Sequence, residues 1–421
     1  MEQRNTSVEG MGAMSKELIP ASCWSCGGRS LTPIFAVSSI PLSSLMLMET
    51  QEEAQAFPRG QLELVVCTSC GFIYNQMFRP EVVDYTMPYE SSQDFSPRFR
   101  VFKQELIDHL IEDYELAGKE ILEIGCGDAS FLEALCAQAE AQGFGIDPNF
   151  DIERVSDNGA VSGIREFFDA DQVHLTGDLI CCRHTLEHIQ PVGEFVDLTR
   201  QSAQRRENSV VFYEIPDTDR ILEEGAFWDV YYEHCSYFTL PSLANLFRSK
   251  GFEILRLEKG YDDQYLLVDC VLGRADDHFD SAGVRTVVDK AQDFGNAASI
   301  AVDQWRELVT SAAESDGTVV LWGASSKAVA FLASIGIDDA ISAAVDINPF
   351  KQNKFLPGSG HPVIGPESLP TLEPDLVVIM NPIYVDEIAR TLESLGLSPE
   401  LRALGEEIGD VSEDRKRHEV H

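Results

Sequence analysis

The chain has 421 residues, 44% of them hydrophobic and 24% charged, which predicts a globular protein of several domains and excludes a disordered chain or a miniature scaffold. Seventy Asp and Glu against 32 Lys and Arg give a formal charge of −38, which argues against nucleic acid or an anionic membrane as partner and leaves room only for a local basic pocket. No window is long and uncharged enough to span a membrane, the first 20 residues lack a secretion-type apolar stretch, and ten cysteines are too few for a disulfide framework, so the chain reads as cytoplasmic.

Residues 1–20 and 406–421 are polar and aperiodic and read as frayed tails. From 21 to 95, short apolar runs are broken by Gly, Pro and Ser, with LELVV at 62–66 the clearest strand, which suits a small metal-stapled module. Residues 96–280 form the next unit. Val101, Phe102, Leu106, Ile107, Leu110 and Ile111 recur at helical spacing. Strand signals follow at 120–124, 143–147, 178–182 and 209–214, and helical ones at 128–141, 192–204 and 241–250. Such alternation predicts a doubly wound parallel sheet. The run 252–272 is two β-type stretches around Gly260, a hairpin that closes this sheet. A long connecting helix is predicted over 281–315, and a second α/β unit over 316–405. There, TVVLWGASSKAVAFLASIG reads as strand, turn and helix, while ISAAVDINP and DLVVIMNP supply further strands. The segments 120–147 and 318–346 share one plan, strand, Gly turn, helix and a strand ending in Asp.

Cys23 and Cys26, then Cys67 and Cys70, make two C-x-x-C pairs separated by 40 residues. Each short spacer can fold into a knuckle that aims two thiolates at one ion, and Gly27 and Gly71 supply the backbone freedom. Four sulfurs fill a tetrahedral Zn²⁺, so the expectation is a structural zinc; buried free thiols or a redox pair are the alternatives. The other six cysteines read as small core residues.

Glu123-Ile-Gly125-Cys-Gly127 follows a strand and opens a helix, where glycines let the backbone approach a ligand closely. Ser130 stands where a pyrophosphate-binding loop has its third glycine, which favours a smaller adenosyl ligand. Twenty residues beyond Gly127, Asp147 ends the next strand, where a carboxylate can take two ribose hydroxyls. Glu123, Gly125, Gly127 and Asp147 together resemble the first two motifs of the class I methyltransferases that use S-adenosylmethionine (SAM), whose mostly parallel sheet also ends in an antiparallel hairpin. That resemblance carries His184, in RHTLEHI, to the methionine side of SAM, with Glu187 and His188 read as helix caps. Asp169 and Asp171 are candidates for the adenine amino group.

Tyr231-Tyr-Glu233-His234-Cys-Ser-Tyr-Phe follows the fifth strand of this unit, with its Glu214-Ile-Pro216 end, at the edge where an α/β crevice opens. Methyl transfer to carbon needs a base, and an imidazole suits the task. The same residues also fit a local structural pair with packing tyrosines.

Taken in order, the C-x-x-C pairs, EIGCGD, Y-x-E-H-x-S-Y-F and GASSK…VDINPFKQNKFLPG…DLVVIMNP resemble the sugar 3-C-methyltransferase family over about residues 21–400. The resemblance implies a class I Rossmann-like sheet between an N-terminal zinc-binding module and a C-terminal α/β Rossmann-like domain. It further implies a nucleotide-linked 4-keto-deoxysugar as substrate, with SAM and a structural Zn²⁺. By the same resemblance Tyr231, Glu233 and His234 are catalytic, His234 is the base, Glu233 orients or charge-balances it, and Tyr89 closes from the zinc module with Tyr85 as fallback. Tyr231 or Tyr89 would donate to the oxyanion. Tyr232, where many relatives have His, and the HTLEHI segment depart from the family pattern.

In the last unit, Gly323-Ala-Ser-Ser-Lys327 resembles an anion cradle at a helix start. Lys351 and Lys354 beside a PGSG turn form a short basic patch suited to a phosphate-bearing substrate, and Lys327, Lys351 and Lys354 are the substrate-binding candidates. Asn381 and Glu387 are named by the resemblance only. An O- or N-methyltransferase on another acceptor is the runner-up; a nicotinamide oxidoreductase and a zinc-stapled scaffold are the readings from other classes. The oligomeric state is left open, and a monomer is compatible with the sequence.

Overall fold

The structure is a computed structural model and describes residues 22–84, 97–151, 153, 159–276 and 278–406. Residues 1–20 and 407–421 of the expected tails, and Tyr85 and Tyr89, lie outside the described residues.

The N-terminal module is an antiparallel sheet of β1 (Leu31–Pro41), β2 (Arg59–Cys67) and β3 (Ile73–Asn75). Strand β1 is longer than its sequence suggests, because Pro33 sits on an edge strand at a register shift, where its missing N–H costs no ladder bond. Alternation along β2 sends Leu62, Leu64 and Val66 into one core and Val65 and Cys67 into another.

The middle unit has β4 (Glu120–Ile124), β5 (Gln142–Ile146), β6 (Val161–Ile164), β7 (Leu179–Arg183) and β8 (Val210–Pro216), all parallel. After β9 (Ser236–Tyr237), β10 (Phe252–Gly260) and β11 (Tyr265–Leu272) form the hairpin, and the sheet order is β10-β11-β8-β7-β4-β5-β6. Strand β11 runs antiparallel to β8, as the hairpin reading requires. Strand β6 has only four residues, including Gly163, and carried no usable pattern in the sequence. Because β5 and β7 lie on opposite sides of β4, the crevice of this sheet opens at the end of β4.

Strand β9 does not join that sheet. Ser236 and Tyr237 pair antiparallel with Tyr74 and Ile73, so the Tyr-Glu-His segment supplies the fourth strand of the N-terminal sheet. A three-residue β3 would otherwise expose an unpaired edge.

The helix Ser281–Glu314 begins at Asp280, whose side chain accepts the Ala282 N–H. Its buried stripe of Val284, Val287, Ala291, Phe294, Ala298, Val302, Trp305 and Val309 belongs to a core shared with β1, β2 and the C-terminal unit. That unit is a parallel sheet of β12 (Val319–Trp322), β13 (Ala343–Val345), β14 (Val363–Ile364), β15 (Leu376–Ile379) and β16 (Glu400–Ala403), ordered β14-β13-β12-β15-β16. Among the described residues, no helix is long and apolar enough to cross a membrane.

Candidate active site

Two copies of one local design stand at the ends of β4 and β12. At β4, Gly127 N–H donates to Asp147 Oδ2 at 3.0 Å and Asn149 N–H to Asp147 Oδ1 at 2.6 Å. At β12, Ala324 N–H donates to Asp346 Oδ2 at 3.1 Å and Asn348 N–H to Asp346 Oδ1 at 2.9 Å. A carboxylate at the end of the neighbouring strand thus organises each turn.

At the first turn Gly125 has φ +73°, and a Cβ there would lie 2.0 Å from Thr185 Oγ1. Only glycine fits that contact, which seats the HTLEH segment on the glycine turn. Glu123 is 2% exposed, and its Oε2 has no hydrogen-bond partner. Burial raises its carboxyl to about 8, against the pull of Arg183. An orphaned acceptor beside a left-handed glycine turn, with Asp147 on the next strand, fits an adenosyl ligand that brings its own donors. Asp169 lies on an exposed loop beyond β6, where its Oδ1 accepts the N–H of Asp171 at 2.7 Å. Both are exposed, and Asp169 is engaged in this local turn.

His184 directly follows β7 in left-handed backbone, φ 46°. Its Nε2 lies 3.1 Å from Glu214 Oε1, its Nδ1 3.6 Å from Glu187 Oε1, and its side chain is 30% exposed. Burial works against its charge, but Glu214 and Glu187 outweigh it and raise the imidazole to about 9. Glu214, fully buried on β8, also accepts Arg183 Nε at 2.5 Å; burial opposes its ionisation, yet Arg183 and His184 bring it down to about 2. Sequence reasoning passed over Glu214 as a strand end and Glu187 as a cap. The clue was the charged run Arg183, His184 and Glu187 at the end of one apolar strand and Glu214 within another.

Next to this cluster stands His234. Ligand atoms of Glu187, His188 and His234 lie within 4.8 Å of one another, and the His188 and His234 rings are perpendicular with centroids 4.7 Å apart. His188 Nδ1 donates to the Glu233 carbonyl at 3.0 Å. Burial and then His188 push the His234 imidazole down to about 3, so it is neutral at physiological pH. Tyr231 lies 5.1 Å from the His234 ring, and its hydroxyl donates to Asp229 Oδ1 at 2.7 Å.

Glu233 does not orient His234 as the resemblance implied. Its Oε1 accepts the Ser44 N–H at 2.7 Å and Oγ–H at 2.5 Å, tying the Tyr-Glu-His segment to the N-terminal module, while Oε2 has no partner. Because β9 is captured by the N-terminal sheet, the Glu233 carboxylate faces Ser44, and Glu187 is the acid grouped with His234. Tyr232 is a packing residue. Its ring leaves no room for a Cβ at Gly60, 2.4 Å away, and its hydroxyl accepts the Arg79 N–H at 3.1 Å.

The lysines do not make one basic patch. Lys327 Nζ donates to Asp229 Oδ2 at 2.6 Å, Lys351 Nζ to Asp346 Oδ2 and the Ala324 carbonyl at 3.2 Å, and Lys354 Nζ reaches Glu49 Oε1 at 3.2 Å. The PGSG turn docks on the helix Gln51–Gln55, with Gly358 N–H donating to Ala54 O at 2.7 Å. Each cation is balanced by a carboxylate from a different element.

In the N-terminal module, Cys23 Sγ and Cys70 Sγ are 3.6 Å apart, and Cys26 Sγ and Cys67 Sγ 3.7 Å. A disulfide would require about 2.05 Å, whereas sulfurs bound tetrahedrally at about 2.3 Å from zinc stand about 3.8 Å apart. Gly27 and Gly71 have φ +73° and +78°, as the two knuckles need. Hydrogen bonds from Cys23 and Cys26 hold the Cys67 thiol well below its ordinary range, while contacts with the other sulfurs push Cys23 and Cys70 up.

Comparison with known proteins agrees with this geometry. A family model described as a methyltransferase domain matches residues 98–257, and one described as a C-methyltransferase C-terminal domain matches residues 279–397. The C-methyltransferase NovU of Streptomyces niveus is 27% identical over 87% of this chain and 90% of its own length. Among solved structures, magnesium protoporphyrin IX methyltransferase of Synechocystis PCC 6803 with bound SAH is 16% identical over 45% of this chain and 91% of its own, at a TM-score of 0.33. N-methyltransferase NodS of Bradyrhizobium japonicum, in complex with SAH, is 15% identical over 42% of this chain and 89% of its own, also at 0.33. The chain is a class I SAM-dependent methyltransferase. More narrowly, its residues 279–397 match the C-methyltransferase C-terminal domain, and the chain is a homologue of NovU.

Proposed function

We propose that the chain transfers a methyl group from SAM to the carbon next to the ketone of a nucleotide-linked 4-keto-deoxysugar. The observation that carries this reading is His234, a neutral imidazole beside Tyr231 and Glu187, on the segment between β8 and β9 that follows the SAM-type crevice. A carbon acid needs an unprotonated base, and a 4-ketone acidifies the neighbouring C3 hydrogen.

On this reading Glu123, Gly125, Gly127 and Asp147 hold SAM, with His184 on its methionine side and Asp169 as the candidate for the adenine. Bound SAM supplies an electrophilic methyl group. His234 removes the C3 proton, and the negative Glu187 balances the imidazolium that results. Burial opposes the ionisation of Glu187, but His184 and then the other histidines keep its carboxyl below the usual range, so it is available as that counter-charge. Glu233 fixes the loop through Ser44. Lys351, beside the Gly323 turn, is the cation proposed for the nucleotide phosphates, which would take the place Asp346 now holds on it. The four cysteines are proposed to hold one structural Zn²⁺, saturated and therefore outside the chemistry.

The test is turnover with SAM carrying a ¹³C methyl group and a dTDP-4-keto-deoxyhexose. A one-bond carbon–carbon coupling between the label and C3 supports the reading; label on oxygen or nitrogen, or no transfer to any keto sugar, refutes it.

A further inference from the structure

The buried carboxylate of Asp229 joins two domains at one tyrosine. It belongs to the turn Phe227–Asp229, is 6% exposed, and accepts the Tyr231 hydroxyl on Oδ1 at 2.7 Å. Its Oδ2 accepts Lys327 Nζ at 2.6 Å and an Arg220 amino group at 2.8 Å. Arg220 is a neighbour in the middle unit, but Lys327 stands in the first turn of the C-terminal helix Ser326–Ile335. That helix is held against the Asp229 turn by the stacked rings of Phe227 and Phe331, 6.0 Å apart.

Two cations on one buried carboxylate keep it ionised: burial opposes the charge, and Lys327 and Arg220 more than offset it. An ionised carboxylate only accepts hydrogen bonds, so the single Tyr231 proton is committed to Asp229. What the phenol then offers its other neighbours is a pair of lone pairs. Tyr231 in this state cannot donate to an oxyanion, and Lys327 is already engaged.

We infer that Asp229 and Lys327 are positioning residues that hold Tyr231 as a hydrogen-bond acceptor in the active site, and that Lys327 makes this arrangement depend on the docked C-terminal domain. The inference rests on the function proposed above. It changes two roles drawn from the sequence, the phenol as oxyanion donor and Lys327 as phosphate ligand.

The experiment measures kcat and KM of the full chain with SAM and the keto sugar for Tyr231→Phe, Asp229→Asn, the double variant, Lys327→Met and Lys327→Arg. Asp229→Asn is expected to lower kcat about 10–100-fold with KM within about threefold. The double variant should be no slower than the slower single one, because both changes remove the same acceptor. Lys327→Met should lower kcat about 5–10-fold, and Lys327→Arg should recover most of it. Multiplicative losses in the double variant, or a large rise in KM for Lys327→Met with kcat unchanged, would overturn the inference. Should Asp229→Asn fail to fold, the Lys327 pair decides alone. Absence of wild-type turnover removes the function reading and this inference with it; wild-type turnover with the wrong ratios removes the inference only.

Discussion

Replacing Glu214 by Gln tests the charge balance beneath the SAM-type crevice. Glu214 is fully buried and serves Arg183 Nε at 2.5 Å and His184 Nε2 at 3.1 Å. A Gln keeps the shape, but its one carbonyl oxygen cannot serve both cations, and its amide nitrogen faces a donor. Removing one partner from a buried ion pair costs about 3–5 kcal/mol. A second route gives a similar size: holding the Glu214 carboxyl at about 2 instead of 4.5 corresponds to about 3 kcal/mol. At about 2–4 °C per kcal/mol for a domain of this size, the melting transition should fall by about 6–20 °C. The sign with pH follows from the two partners. Glu214, lowered from 4.5 to about 2, contributes stability that is complete above 4.5 and lost as the pH falls through 2. His184, raised from 6.5 to about 9, contributes stability that is complete below 6.5 and lost as the pH rises through 9. Differential scanning fluorimetry from pH 2 to 10, with and without S-adenosylhomocysteine, reads both limbs. In the variant the alkaline loss between 6.5 and 9 should flatten, because His184 loses its stronger partner. A melting temperature within about 2 °C of wild type at pH 7, with the alkaline slope retained, would refute the reasoning.

Cys67→Ser should lower both the zinc content, from about one ion per chain, and the melting temperature; elemental analysis of the purified protein checks it, and unchanged metal would end the zinc assignment. Gly125→Ala forces a left-handed φ of +73° on a residue with a Cβ 2.0 Å from Thr185 Oγ1, so S-adenosylhomocysteine affinity by calorimetry should fall about 10–100-fold while the other domains keep their fold. Ser44→Ala removes one of the two donors to Glu233, and a loss of about 1–3 kcal/mol in stability is expected from chemical denaturation.

Much of the architecture was legible because its signals are local. The glycine turn, the Asp that ends the next strand and the closing hairpin each occupy short contiguous stretches, and their geometry follows from φ and hydrogen-bond requirements that the residues announce. What the sequence concealed depends on contacts across long separations. Nothing in CSYF says that Ser236 and Tyr237 will pair with a strand more than 160 residues earlier, yet that pairing turns Glu233 toward Ser44. Likewise, Asp229 looks like an ordinary turn residue until the C-terminal helix delivers Lys327 to it. The GASSK turn has the look of an anion cradle, but Asp346 takes one of its amides and Asp229 takes its lysine. Short strands such as β6, β14 and β16 lacked the length for periodicity and form by pairing with stronger neighbours.

The central claim is that His234 enolises a keto sugar beside a SAM-type site. Its most direct measurement is hydrogen exchange at C3 of a dTDP-4-keto-6-deoxyhexose in deuterated water, followed by NMR with S-adenosylhomocysteine present and against an enzyme-free blank. The account predicts exchange that depends on the enzyme and disappears in His234→Ala, while that variant binds S-adenosylhomocysteine within a few-fold of wild type. No exchange in a wild-type protein that binds S-adenosylhomocysteine, or undiminished exchange in His234→Ala, would contradict it.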